Sequence, residues 1–489
     1  MGTVRRAFFM ATLDQYSQIV ISMVLIAVLS RLLDSTDIGV AAIGLSIGTI
    51  AFTVREFATS EFLIQREELH ATDIRTGTTL VFGLSAIIAV GLVLLSPYIA
   101  SFYNLASLQT FICLVAISGV IDGLVSPHTA LLRREIEFGS LTRINVAGAV
   151  ANAVTALVAA WQGYGFMSLA IAVIAAAAVR AVLTFQAKPE IWMFRPCLVG
   201  SRSIFSFGGY KGASSVLDRV YESLPQLVLG RIMPLSAVGI FNRANLVCGL
   251  PDKLMLSAAF SVAFPAFAAE VRAKRAIKES YLRMVSYISV LFWPSSLMLA
   301  ILADPIVNIV LGNGWLPVVP ILRILCCATI FSFANILTYP VLVAFGANRD
   351  AFTANFVGRG VSTVIICVAS FQGLVALALS QFISLPFQMY VSFHYIRRRV
   401  HFEWKELLGV LAKSGVVTVM AIAGPLAIVA LNGFDFDLSL AETAVCILLA
   451  AAGWMAGLIV FRHPLLDELP AILERLFGRW VRKSTAAAE

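Results

Sequence analysis

The apolar segments of this chain arrive in pairs joined by short loops, and its lysines and arginines fall almost entirely on alternate loops. That pattern fixes the class of molecule: an all-α polytopic membrane protein whose topology is drawn by charge. A hydrocarbon core about 30 Å thick takes ~20 apolar residues per helical crossing. Fourteen such segments are expected, at 11–33, 37–57, 76–96, 108–132, 141–161, 164–186, 204–230, 235–264, 281–303, 316–345, 352–371, 373–395, 407–431 and 438–461. With 59% hydrophobic and 13% charged residues and a mean hydropathy of +0.89, a soluble domain is excluded.

One set of loops carries Arg5 and Arg6, Arg66 and Arg75, Arg133 and Arg134, Lys188, Arg195 and Arg202. It continues through Arg272, Lys274, Arg275 and Lys278, then Arg349, then Arg397, Arg398, Arg399 and Lys405, and closes with the C-terminal tail. The opposite set is nearly bare: 97–107 and 161–164 have no charge, and 432–437 holds only Asp435 and Asp437. The positive-inside rule then expects both termini in the cytoplasm. The net charge of +8 is spread over many loops, so it reads as orientation and not as a nucleic-acid face. Span one is full length and another follows at once, so no cleavable signal is expected. Six of the seven cysteines lie inside spans and Cys197 lies in a cation-bearing loop, with neither disulfide nor metal spacing.

Set against itself at an offset of two hundred, the chain repeats. LSRLLDSTDIGV at 29–40 meets LGRIMPLSAVGI at 229–240, aligning Arg31 with Arg231 and Gly39 with Gly239. Pro97 and Pro305 each close the third span of a half, and Asn145 and Gly148 recur as Asn355 and Gly358. Six spans separate the copies, so they share an orientation and are related by an axis along the membrane normal. The expected organisation is an N-lobe over 1–200, a C-lobe over 201–402, two extra spans over 403–461, and a tail over 462–489. The stretch 464–483 reads as an amphipathic helix on the inner leaflet, or as a docking element for cytoplasmic partners.

Ionisable groups at bilayer depth cost at least ~2.5–3.5 kcal/mol on insertion scales and tend to face a bundle interior or a wet cavity. Span seven holds Lys211, Asp218, Arg219 and Glu222; span eight holds Arg243, Asp252 and Lys253; Arg55 and Glu56 end span two; Asp14 and Asp122 lie in spans one and four. Asp218 and Glu222 share a helix face, with Lys211 near it. Spans one, two, seven and eight are therefore expected to line a polar cavity whose cations suit an anionic headgroup, phosphate above all. The bland reading of Asp218, Arg219 and Glu222 is an internal ion-pair network. Arg180, Arg283, Arg323 and Arg359 are expected to snorkel from span ends.

LSRLLDSTDIGVAAIG, EFLIQREELHATD, ALLRREIEFGSLTRI, LVLGRIMPLSAVGIFNRA, AFPAFA and LGNGWLPVVPILRILC, in this order and spacing, resemble the multidrug/oligosaccharidyl-lipid/polysaccharide exporter superfamily. Within its polysaccharide-transport branch, the chain is similar to flippases of the succinoglycan and colanic-acid exporter type. The resemblance implies alternating access between two lobes around a cationic cavity. It implies an undecaprenyl-diphosphate-linked oligosaccharide as substrate, for exopolysaccharide or lipopolysaccharide synthesis, with a polymerase and a chain-length regulator as loose partners. Arg55 in VREFATSEF and Arg243 in GIFNRANL match the positions of arginines that related lipid II flippases use. One feature departs: SLPQLVLGR places Pro225 where the branch often has an aspartate, so the resemblance does not carry sodium coupling to that position. Asp218 or Glu222 would have to take a Na+ or H+ instead, and Pro225 reads as a hinge. The competing reading is an ion-coupled small-molecule exporter of the same superfamily, whose cavity should be net acidic. The histidines form no nucleophile–base arrangement and no Walker A string occurs, so neither an enzyme nor direct ATP drive is expected.

Overall fold

A computed structural model describes residues 2–58, 61–66, 68–253, 267, 270–271, 273 and 277–468. The described chain is helical throughout, with no strand among the described residues. In order the helices are α1 (Gly2–Leu32), α2 (Ser35–Thr53), α3 (Glu61–Gln65), α4 (Ala71–Phe102), α5 (Ala106–Arg134), α6 (Phe138–Trp161), α7 (Met167–Ala187), α8 (Ser201–Ile232) and α9 (Leu235–Cys248). They continue as α10 (Lys278–Ile301), α11 (Ala303–Val310), α12 (Val318–Thr329), α13 (Phe333–Ala344), α14 (Asn348–Ser370), α15 (Leu374–Val400), α16 (Trp404–Leu431) and α17 (Leu440–Val460).

Local chemistry sets the helix starts. Asp34 accepts a 2.8 Å hydrogen bond from the Asp37 amide and caps α2, and Ser439 with Glu442 forms a capping box on α17. Helix interiors tolerate Pro97, Pro294 and Pro425, as membrane helices do when neighbours satisfy the freed backbone groups. Large apolar side chains such as Ile87, Leu94 and Leu448, each about 70% exposed, form the faces that lipid covers.

Among the described residues eleven helices are long and apolar enough to cross a membrane, or twelve with α12 and α13 taken as one span bent by 44°. The expected fourteen is therefore not reached on apolarity. The two segments missing from the tally are the charged ones. Over its 32 residues α8 is long enough, but carries Lys211, Asp218, Arg219 and Glu222, and the segment from Leu235 runs on into residues outside the described set. At the bend, the Trp293 indole donates to the Ile330 carbonyl at 2.8 Å, which satisfies backbone that the break exposes.

The helices form two compact units. The first comprises Met1–Arg243, Asn308–Val318 and Arg359–Leu377; the second comprises Ala244–Val307, Val319–Gly358 and Ala378–Glu489. Within the first, α8 packs along α2, and α1 packs on α6, so spans seven and eight join the helices that the repeat names as their counterparts. The second unit has an aromatic core in which Tyr281 stacks on Phe402 at 5.5 Å and Phe333 and Phe393 pack beside them. The start of the tail docks onto this unit: Leu465 is buried with Val290, Val417 and Leu458. The rest of the expected amphipathic stretch, from residue 469, lies outside the described residues.

Candidate functional site

The repeat seen in the sequence becomes a physical contact in the first unit. A Cβ on Gly39 would lie 2.0 Å from the Leu235 carbonyl oxygen, and a Cβ on Gly239 would lie 1.9 Å from the Ser35 carbonyl oxygen. Those four residues are equivalent in pairs at the offset of two hundred. The pseudo-twofold axis thus passes between α2 and α9, where only glycine admits such close backbone approach. Around it, each half reaches for the other. The Trp315 indole donates to the Ser30 carbonyl at 2.6 Å and the Tyr103 hydroxyl donates to the Leu227 carbonyl at 3.1 Å. Arg31 donates to the Ile309 carbonyl at 2.9 Å, while the Arg231 guanidinium sits 5.2 Å from the Phe102 ring. The Ser30 and Ile309 carbonyls lie in the last turns of α1 and α11, where intrahelical partners run out, and these contacts satisfy them from across the axis. All of this lies at the bundle end that carries the cation-poor loops. Arg31 and Arg231 depart from the charge rule there because protein, not water alone, holds them.

The charged face of α8 meets α14. Arg359 Nε lies 3.0 Å from Asp218 Oδ1 and Arg359 Nη1 3.9 Å from Glu222 Oε1, while Arg219 donates to Glu222 at 2.9 Å. The Arg359 guanidinium also lies 5.1 Å from the Tyr221 ring. Two carboxylates are matched by two guanidiniums, and all four side chains keep access to solvent. Arg359 does not snorkel as expected: it stands at the midpoint of Asn348–Ser370, too far from either end for its side chain to reach an interface. Arg180 and Arg323 are corrected likewise, with Arg180 bonded to Asp122 at 2.8 Å and Arg323 paired with Asp304 and lying 4.2 Å from the Phe436 ring. α8 runs through Pro225 as one uninterrupted helix. Lys211 lies on α8, and its side chain is outside the described residues.

The two arginines singled out by resemblance have separate partners. Arg55 follows α2 in a short 3-10 turn, Val54–Ala58, and reaches the Gly119 carbonyl at 3.4 Å with its guanidinium 5.9 Å from the Phe52 ring. It is half-buried and weakly held. Arg243, on α9, is 5% exposed. Its guanidinium lies 5.6 Å from the Trp315 ring, and its Nε has no hydrogen-bond partner among the described residues. A buried guanidinium with spare donors is a ready site for an anion.

A polar cavity of about 270 Å3 opens among α1, α6 and α7, lined by Gln18, Ser22, Asn145, Asn152 and Arg180. Asp14 anchors it, accepting from Gln18 and from Asn145 at 2.8 Å each. The sequence singled out Asp14 and Asp122 as intramembrane charges but missed this amide lining, because Asn and Gln cost less to bury and stand out less. Among the described residues no group of His, Cys, Asp and Glu is placed to hold a metal ion.

A family model described as "Polysaccharide biosynthesis protein" matches residues 28–320. Among curated relatives, the chain is 26% identical over 310 residues to the lipopolysaccharide biosynthesis protein WzxC of Escherichia coli K12, covering 63% of each chain. It is 24% identical to the teichuronic acid biosynthesis protein TuaB of Bacillus subtilis, covering 68% of this chain and 69% of that one. It is 23% identical to the succinoglycan biosynthesis transport protein ExoT of Rhizobium meliloti, covering 66% and 65%. The matched regions thus span about two thirds of these relatives. Among solved structures, the lipid II flippase MurJ in an inward closed conformation superposes with a TM-score of 0.70 at 12% identity, covering 94% of this chain and 100% of that one. An inward-facing multidrug resistance MATE transporter gives a TM-score of 0.63 at 16% identity, covering 78% and 94%. At these identities the likeness is one of fold.

Proposed function

Because the chain belongs to the polysaccharide biosynthesis protein family, we propose that it carries undecaprenyl-diphosphate-linked oligosaccharide units across the bacterial inner membrane by alternating access. The observation that carries this reading is the meeting of the equivalent segments of α2 and α9 at Gly39 and Gly239, beside a buried arginine, Arg243, whose Nε has no partner among the described residues. A pseudo-twofold contact at one end is what a protein rocking between two states needs to close one side. A guanidinium under it is what a diphosphate needs. The relatives named for lipopolysaccharide, teichuronic acid and succinoglycan biosynthesis support a glycan as the cargo.

In the cycle, spans one to six over residues 1–200 and spans seven to twelve over 201–402 act as the moving lobes of a fourteen-span protein with both termini in the cytoplasm. The headgroup enters from the cation-rich side and Arg55 and Arg243 hold its phosphates, with Lys211 and Arg219 adding positive potential. The lipid tail stays in the bilayer. Na+ or H+ coupling at Asp218 or Glu222 would work by competing with Arg359 and Arg219, which now pair with the two acids. Pro225 would absorb the bend of α8 as the lobes rock. A polymerase and a chain-length regulator receive the product on the far side, and the chain itself catalyses no bond change. The small-molecule exporter reading requires a net acidic cavity, whereas the acids of α8 are matched one for one by Arg219 and Arg359.

The test is a proteoliposome assay that scores access of a lectin or glycosidase to the sugar of an undecaprenyl-diphosphate oligosaccharide. Wild type should expose the sugar, and Arg55→Ala and Arg243→Ala should each abolish exposure while the protein stays folded. Wild type that moves no sugar, with or without a pH or sodium gradient, rejects the reading.

A further inference from the structure

The contacts around the pseudo-twofold axis are paired, but they are not equal. Tyr103 closes onto α8 through Leu227, and Trp315 closes onto α1 through Ser30. On the Tyr103 side, the position equivalent to Arg243 is Ile43, fully buried and apolar. There a Cβ on Gly230 would lie 2.4 Å from Ile43 Cδ1 and 3.3 Å from the Tyr103 ring, so the neighbourhood is plain packing. On the Trp315 side the same place holds a charge. Trp315 is 3% exposed, with its indole N–H spent on Ser30 and its ring 5.6 Å from the Arg243 guanidinium.

Resting on the reading of Arg243 as a phosphate-holding residue, we propose that Trp315 is the positioning residue that ties occupancy of Arg243 to closure of the cation-poor end. A guanidinium held near a desolvated indole is stabilised by the ring quadrupole, and the ring is held in turn. A diphosphate offers Arg243 a stronger, charge-assisted partner. Drawing the guanidinium toward it removes the support on one side of Trp315, and the bond to Ser30 loses its fixed donor. The latch therefore weakens only when Arg243 holds a diphosphate. Among the described residues no guanidinium lies over the Tyr103 ring, the nearby Arg231 sitting over Phe102 instead, so Tyr103 is a latch without a sensor. A ligand shifts a two-state element only through contacts that differ between the states, and Arg243 with Trp315 supplies that difference.

The test uses full-length protein carrying Val238→Cys, a position next to Gly239 that is fully buried when the end is closed, in a Cys197→Ser background. An impermeant maleimide reads opening from the cation-poor side, with undecaprenyl diphosphate as the probe and its binding measured separately. The probe should raise labelling of the otherwise unaltered protein. Trp315→Phe keeps a ring but loses the N–H, and should raise labelling without probe by about fivefold, the shift a lost hydrogen bond gives a two-state element. Trp315→His keeps an N–H but loses the indole face, so it should bind probe yet give no labelling response. Tyr103→Phe should raise basal labelling and retain the response. Each variant is read only as a folded, monodisperse protein, and either Trp315 variant alone carries the test. Wild-type basal labelling in Trp315→Phe, or a full response in Trp315→His, overturns the proposal. Failure of the parent protein to bind the probe instead overturns the reading of Arg243, and the basal labelling of Trp315→Phe still reports on the latch.

Discussion

His463 lies just past α17 and is 1% exposed. Its Nδ1 accepts from the Leu465 amide at 3.2 Å and its Nε2 faces Ser286 Oγ at 2.7 Å and Ser414 Oγ at 3.3 Å. Accepting at Nδ1 requires the neutral ring. Burial, helped by Lys413, holds the pKa down at about 4. A depressed histidine favours folding fully above its unfolded pKa of about 6.5, and that contribution drains away as pH falls toward the folded value. Thermal unfolding in detergent should therefore show stability falling between pH 6.5 and 4, by about 3 kcal/mol from this group at the acid end. His463→Gln should flatten that part of the profile, and an unchanged pH dependence would remove the residue from the account. None of this was legible in the sequence, where His463 is one of five histidines at span ends. Its burial depends on a turn that folds the tail back onto α10 and α16.

At the scale of elements, the glycine pair at the axis and the ion pairs of α8 make opposite predictions about tolerance. A Cβ on Gly39 or Gly239 would strike a backbone carbonyl, which cannot rotate away as a side chain can. Gly39→Ala and Gly239→Ala should each force α2 and α9 apart and cost transport at least about tenfold, the effect of ~1.4 kcal/mol on the closed state. Gly209→Ala on α8 meets nothing within 4 Å and should leave transport unchanged, with a slight gain in stability. Equal activity of all three would mean that the axis contact is dispensable. The pair of Asp218 and Arg359 keeps access to water, so a double-mutant cycle of Asp218→Asn with Arg359→Gln should return a coupling of no more than about 1 kcal/mol in unfolding. A markedly larger coupling would mean that the cluster locks the unit together. The glycines were legible because a repeat aligns them in the sequence, and an axis contact falls on equivalent residues. Arg359 was not, because its partners lie on α8, far off along the chain, and nothing local marks the pairing. Its position at the centre of an apolar helix was the available signal that it needed a partner inside the membrane.

For the whole molecule the open quantity is the number of crossings, and it turns on α8 and α9. Among the described residues apolarity admits eleven or twelve spans and omits these two. The repeat requires them, since α8 and α9 occupy the places that α1 and α2 hold in the first half. Physical reasoning favours the repeat. A helix lined with charges crosses a membrane when those charges are matched and face protein or water, and Asp218, Arg219, Glu222 and Arg359 are matched. The turn between α8 and α9 discriminates the two answers. Removing both helices from the membrane leaves the side of every later loop unchanged, so loop labelling elsewhere is silent on the matter. Pro234 lies in that turn and is exposed. Pro234→Cys in a Cys197→Ser background should react with an impermeant maleimide added outside intact cells, together with thiols placed at Gln162 and Asp435. Thiols at Lys188 and Arg349 should react only after permeabilisation. Reaction of position 234 on the same side as 162 establishes fourteen spans and the two-lobe plan on which rocking depends. Reaction on the side of 188 leaves twelve and places Arg243 outside the membrane.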